Sequence, residues 1–264
     1  GCQERTDVAD AYDVYATSDT YQLTESSTEK SISLLGQDLC VGGTENTAAA
    51  DGIDTDYAQS AAVFSVQDEE ITYAQNIYQR MYPASTTKIL TAYLALKYGN
   101  LDDVLTVSSD AVNTLMSGSS ICGLKPGDQL TLDQALYGLM LCSGNDAANV
   151  IAEYISGSTD KFAELMNKEA QALGATQSHF VNPHGLPDDN HYTTAYDLYL
   201  IFQKALQDET FYQLISTSSY TTNYTAADGS AKTQDWSSTN QYKTGESKLP
   251  DGFTLVGGKT GTTG

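Results

Sequence analysis

Apolar residues along this chain fall into a few dense blocks separated by polar, glycine-marked breaks. Residues 89–96 (Ile89, Leu90, Thr91, Ala92, Tyr93, Leu94, Ala95, Leu96) are apolar on nearly every helical face, and Gly99 follows. That pattern predicts a helix buried on all sides. Residues 132–141 predict a second helix, opened by Thr131 and Gln134 in capping-box spacing. A third runs from Asp146 through Ala147, Val150, Ile151 and Ile155 to Gly157. Ser158 caps a fourth, amphipathic through Phe162, Leu165, Met166, Ala170 and Leu173, and Gly174 ends it. Thr194 caps a fifth through Leu198, Ile201, Phe202 and Leu206.

Strand signals are fewer. Residues 61–66 and 71–76, joined through Gln67, Asp68 and Glu69, predict a hairpin. Residues 208–240 are rich in Tyr, Thr and Ser and are read as strands or loops. Phe253 to Val256 reads as a strand leading into Gly257 and Gly258. Residues 1–57 are polar and aperiodic, and are expected to form a mobile stalk or linker with a short ordered piece near 34–41. Residues 58–264 form the expected folded domain.

Three short motifs change this picture. Ser85-Thr86-Thr87-Lys88 opens the all-apolar helix, Ser143-Gly144-Asn145 lies between two helices, and Lys259-Thr260-Gly261-Thr262 ends the chain's last apolar run. SxxK also occurs at Ser27 and Ser158, and KTG also at Lys243. Ser158 reads as a helix cap, Ser27 as a loop residue and Lys243 as a solvated loop lysine. A second SxN, at Ser238-Thr239-Asn240, ranks lower because no helix flanks it. At i, i+3 the Ser85 hydroxyl and the Lys88 amine share one helix face. Burial and a second cation, for which Lys259 is the candidate, lower the pKa of Lys88 and fit it to take the serine proton. Ser143 then relays a proton, and Asn145 orients Lys88 and holds a substrate carbonyl. Lys259, Thr260 and Thr262, with Gly261 in the same substrate-binding motif, grip a carboxylate, and Gly257 and Gly258 let a substrate backbone approach closely. The Ser85 and Thr262 N–H groups supply an oxyanion hole, where one donor is typically worth about 3 kcal/mol.

The motif set, named for penicillin-binding proteins and class A β-lactamases, resembles the serine-type D-alanyl-D-alanine carboxypeptidases. Residues 82–88 (Tyr-Pro-Ala-Ser-Thr-Thr-Lys) and the Asn182-Pro183-His184-Gly185-Leu186 segment, continuing through Asn190 to Leu198, extend the likeness over about 61–263. The resemblance implies an α+β transpeptidase fold, an antiparallel sheet flanked by helices. It implies a penicillin-sensitive enzyme that removes the terminal D-alanine of peptidoglycan stem peptides through an acyl-serine. It also implies further strands and a helix after the KTG strand, so this chain is expected to be a fragment of a longer protein. A serine β-lactamase is the alternative enzyme, but no E-x-x-L-N segment for a deacylating glutamate is present and Gly144 stands where Asp is usual. A catalytically silent penicillin-binding or peptidoglycan-sensing protein is the non-enzyme alternative.

Composition narrows the partners. With 13 Lys+Arg against 34 Asp+Glu, the net charge of −21 works against nucleic acid and anionic membrane surfaces. No run of 18 apolar residues predicts a membrane span. Gly1-Cys2 fits the trace of a lipoprotein cleavage site with Cys2 lipidated, and equally an ordinary cysteine. The expected setting is the bacterial cell envelope. Cys40, Cys122 and Cys142 match no zinc spacing; Cys122–Cys142 and Cys40–Cys122 disulfides and unpaired thiols all stay open. His179, His184 and His191 are expected to hold a loop by hydrogen bonds, not to bind a metal. No cofactor is expected.

Overall fold

The computed structural model describes residues 39–47 and 58–262. Cys2, Ser27 and most of the expected stalk lie outside them. The part that is described packs on the domain: Leu39 and Val41 are buried, Thr47 N donates to Ala74 O at 2.9 Å, and Tyr196 Oη donates to Val41 O at 3.0 Å.

The predicted hairpin forms as β1 (Ala61–Ser65) and β2 (Glu70–Gln75), antiparallel, with an irregularity between Val63 and Phe64. A 3-10 turn (Ala84–Thr87) then leads into α1 (Lys88–Tyr98). Every residue of α1 from Lys88 to Ala95 is buried, as its all-apolar sequence requires. β3 (Val104–Thr106) and the short α2 (Ser109–Asn113) follow, then β4 (Gln129–Thr131) and α3 (Leu132–Met140). Thr131 and Gln134 close the expected capping box at the start of α3.

α4 (Asn145–Ser156) ends at Gly157 in the left-handed conformation, which spares a Cβ clash at the helix stop. Ser158 caps α5 (Thr159–Ala172), accepting from Lys161 N at 3.2 Å, so that copy of SxxK is a helix cap. α6 (Ala195–Leu206) is capped by Thr194 as expected.

Two expectations are corrected. The first part of the Tyr/Thr/Ser-rich region is a helix, α7 (Glu209–Ser216), because Asp208 caps it and Phe211, Leu214 and Ile215 share a buried face. The second part is a hairpin, β5 (Ser219–Thr225) and β6 (Ala231–Ser237). A one-turn helix, α8 (Gln241–Thr244), comes next. The strand expected at 253–259 does not form, since a strand exists only through ladder partners and none among the described residues pairs with it.

The fold is therefore α+β. One antiparallel sheet runs β3-β4-β5-β6 and the β1-β2 hairpin stands separately. α1 lies at the centre of the helical layer, packed by α3, α4, α5, α6 and α7. Leu90, Leu94, Leu132, Leu136, Leu139, Phe162 and Phe211 fill this core at under 2% exposure. Trp236 of β6 ties sheet to helices: its Nε1 donates to Cys122 O at 2.9 Å, and its ring closes a stack with Tyr220 and Tyr137.

Candidate active site

The rigid central helix presents Lys88 at its first position. The side chain is fully buried, and three oxygens surround Nζ: Ser85 Oγ at 3.0 Å, Asn145 Oδ1 at 2.7 Å and His184 O at 2.7 Å. Burial, and next the Lys259 cation, lower the Lys88 pKa to about 6. A neutral amine has two hydrogens and one lone pair. The two carbonyl oxygens only accept, so they take both hydrogens, and the lone pair is left facing Ser85.

Ser85 lies in the 3-10 turn before the helix proper, and Ala84 before it has φ +49. A non-glycine residue in that region is strained and needs outside support. Gly185 (φ +90) supplies it by packing directly on the Ala84 carbonyl. The loop carrying Gly185 is itself fixed: Asn182 Oδ1 accepts from Gly185 N at 2.7 Å, and Thr91 Oγ1 donates to Pro183 O at 2.6 Å.

His191 and His184 are buried and neutral. Val181 N donates to His191 Nδ1 at 3.1 Å, so the Nε2 hydrogen faces Thr87 Oγ1 at 2.8 Å. Burial pushes the His191 pKa down to about 4; burial and then Lys88 push that of His184 to about 3. His191 thus braces the turn that carries Ser85 to Thr87, while the His184 ring accepts from Leu186 N within its own loop.

Ser143-Gly144-Asn145 forms the turn between α3 and α4. Ser143 has φ +59 and Asn145 is the first residue of α4. A side chain on Gly144 would come 2.8 Å from Asp146 Oδ1 and 2.9 Å from Cys122 Sγ, which explains glycine in the middle of this motif. Asp146 is wholly buried and accepts backbone hydrogens from Cys122, Gly123 and Leu124 at 2.9, 3.0 and 3.0 Å. Asn145 N donates to Ser120 O at 2.8 Å, so the loop before residue 125 is laced to the start of α4.

Lys259 arrives from the far end of the chain. Its Nζ donates to Ser143 Oγ at 3.0 Å and to Thr260 O at 2.7 Å, and burial lowers its pKa to about 8. A Cβ on Gly261 would lie 3.1 Å from Ser85 N and from Thr86 N, so this backbone runs close beside the Ser85 turn. Ser85, Ser143, Thr260, Gly261 and Thr262 line one cavity of about 400 Å³.

The sequence-derived residues are therefore gathered in one place. Sequence reasoning missed five contributors to the cavity wall: Ser120, Thr239, Asn240, Gln241 and Tyr242. Thr239 and Asn240 belong to the SxN copy that ranked lower, and Thr239 Oγ1 lies 2.6 Å from Thr260 Oγ1. The Lys243 copy of KTG is not a free loop lysine either, because its Nζ donates to Ser216 O at 2.5 Å.

A helical and sheet frame with an SxxK serine and an SxN turn on one cavity, and a KTG lysine bonded to the serine of that turn, defines the penicillin-binding class of active-serine proteins. The chain belongs to the D-alanyl-D-alanine carboxypeptidase family, whose sequence profile matches residues 44–264. It is 36% identical over 164 residues to D-alanyl-D-alanine carboxypeptidase DacF of Bacillus subtilis, covering 61% of this chain and 42% of that one. It is 38% identical over 159 residues to DacA of Escherichia coli strain K12, covering 57% and 40% respectively. The chain thus spans about two fifths of the length of these relatives. Among solved structures, the Streptomyces K15 DD-transpeptidase superposes with a TM-score of 0.68 at 32% identity, covering 75% of this chain and 77% of that one.

Proposed function

We propose that this chain carries the active site of a serine D-alanyl-D-alanine carboxypeptidase, which removes the terminal D-alanine of peptidoglycan stem peptides and is acylated by β-lactams. The observation that carries the reading is the Lys88 amine, held by two carbonyl oxygens with its lone pair toward Ser85 at 3.0 Å.

In this mechanism Lys88 takes the Ser85 proton as Oγ attacks the scissile carbonyl. The Ser85 and Thr262 N–H groups receive the developing oxyanion. Lys259, Thr260 and Thr262 hold the terminal carboxylate, and Asn145 orients the amine and the substrate amide. The proton passes from Lys88 through Ser143 to the departing amine of D-alanine. Water, activated by the same lysine, then hydrolyses the acyl-serine. Such an enzyme works outside the cytoplasm, on the cell wall. No helix among the described residues is long and apolar enough to cross a membrane. A lipid on Cys2 is the anchor proposed for the envelope.

Labelling with fluorescent penicillin, mapping of the adduct by mass spectrometry, and D-alanine release from a peptide ending in D-Ala-D-Ala test the proposal. An adduct on Ser85 with D-alanine release is expected. An adduct elsewhere overturns the site, labelling without release points to a sensor, and rapid penicillin turnover points to a β-lactamase. Incorporation of labelled lipid into the wild type but not into Cys2→Ser is the expected result for the anchor.

A further inference from the structure

Two thiols flank the site without a part in the proton path. The Cys122 sulfur is buried, donates to Asp146 Oδ1 at 3.2 Å, and lies where side chains on Gly138 or Gly144 would come within 2.9 Å. The Cys142 sulfur is half-buried and donates to Gly138 O at 3.1 Å. Both sulfurs therefore lie against Gly138, that of Cys122 on the side where a Cβ would stand and that of Cys142 on the carbonyl oxygen, and Cys142 is among the groups that act on the Cys122 thiol. Cys40 belongs elsewhere, beside Gly174 and Tyr196.

Their positions along the chain matter. Cys122 ends the loop whose Ser120 lines the cavity and whose carbonyl receives Asn145 N. Cys142 immediately precedes Ser143, held at φ +59. We propose that Cys122 and Cys142 form a reversible disulfide that staples the Ser120 loop to the Ser143 turn and sets the reactivity of the site according to the redox state of the surroundings.

The oxidant is an external disulfide of the glutathione class. The Cys142 thiolate, the more exposed of the two, attacks one external sulfur, and the other departs as a thiolate. Cys122 then loses its proton and attacks the Cys142 sulfur of the mixed disulfide, releasing the second external thiolate. Two protein thiols are oxidised, one external disulfide is reduced to two thiols, and no external atom stays on the protein. Asp146 loses a thiol donor but keeps four backbone N–H groups. Gly138 O loses its only thiol donor, and the strained Ser143 turn shifts with the Cys142 sulfur.

The test equilibrates the full protein in mixtures of oxidised and reduced glutathione, traps remaining thiols by alkylation and maps the peptides. A 122–142 cross-link that grows with oxidised glutathione is expected. Cys122→Ser and Cys122→Ala should instead hold glutathione on Cys142, since the resolving thiol is gone. Only glutathione adducts on the wild type, unreacted thiols, or a cross-link from either residue to Cys40 overturns the pairing. Penicillin labelling of Ser85 should fall several-fold in the oxidised protein, recover with dithiothreitol, and ignore redox state in Cys122→Ser. Labelling of the wild type that ignores redox state overturns the coupling to the site. This last readout rests on the proposed function, whereas the cross-link map does not, so the two fail separately.

Discussion

The α-carbon of Gly185 packs so closely on the carbonyl of Ala84 that a methyl group added there would overlap its oxygen. The contact holds a non-glycine residue at φ +49 one position before Ser85, the proposed nucleophile. Gly185→Ala meets both a left-handed φ and a backbone clash, so a penalty of at least 1–3 kcal/mol is expected. Its melting temperature should drop, and penicillin labelling of Ser85 should fall further than the loss of folded protein explains. Wild-type labelling in Gly185→Ala contradicts the bracing role.

Activity should follow a bell-shaped pH profile. Lys88 must be neutral to accept a proton, so kcat/KM rises as pH passes about 6. Lys259 must be charged to hold a carboxylate, so kcat/KM falls above about 8. Lys88→Ala should lose roughly 10²–10⁴-fold in acylation rate. A rate that stays flat from pH 5 to 9 rules out this pair of roles.

Lys259→Ala separates two effects of one cation. Without the clamp, affinity for the peptide should weaken by roughly ten- to a hundredfold, in line with 1.5–3 kcal/mol for a charged hydrogen bond. Lys259 also presses down the Lys88 pKa, so its removal should move the acid limb of the acylation profile upward. An acid limb that does not move places the cation too far away to act on Lys88.

Acid should loosen the fold through His184 and His191. Their folded pKa values of about 3 and about 4 lie below the unfolded 6.5, so the unfolded chain binds more protons between these limits. Stability is therefore lost as pH falls through 6.5 toward the folded values, by about 1.4 kcal/mol per pH unit for each histidine. Thermal unfolding between pH 7 and 4 should show this slope, and His191→Gln should make it shallower. An unchanged slope in that variant assigns the acid effect to other groups.

The helices that build the site were legible because periodicity and caps agree there. The apolar run after Lys88 distinguished this SxxK from Ser158, whose amphipathic helix marks a surface cap. Other parts left no trace in residue type. Lys88 takes one of its two carbonyl acceptors from the backbone of His184, and a backbone oxygen has no sequence signature. The positive φ of Ala84 is imposed by a loop about a hundred positions away, not by alanine itself. α7 was hidden because Tyr and Thr suggest strands, while its cap Asp208 and its three apolar residues make a short signal. The strand expected at 253–259 failed for a tertiary reason, because β propensity needs a neighbour to pair with.

Lys259 is a local attractor in a strongly acidic molecule. The chain carries −21 overall, while Lys88 is uncharged near neutrality. An anionic peptide tail is thus repelled at long range and welcomed only in the last few ångströms. Raising ionic strength screens the distant repulsion more than the enclosed contact. Capture of such a substrate should therefore quicken with moderate salt, the reverse of ordinary electrostatic steering.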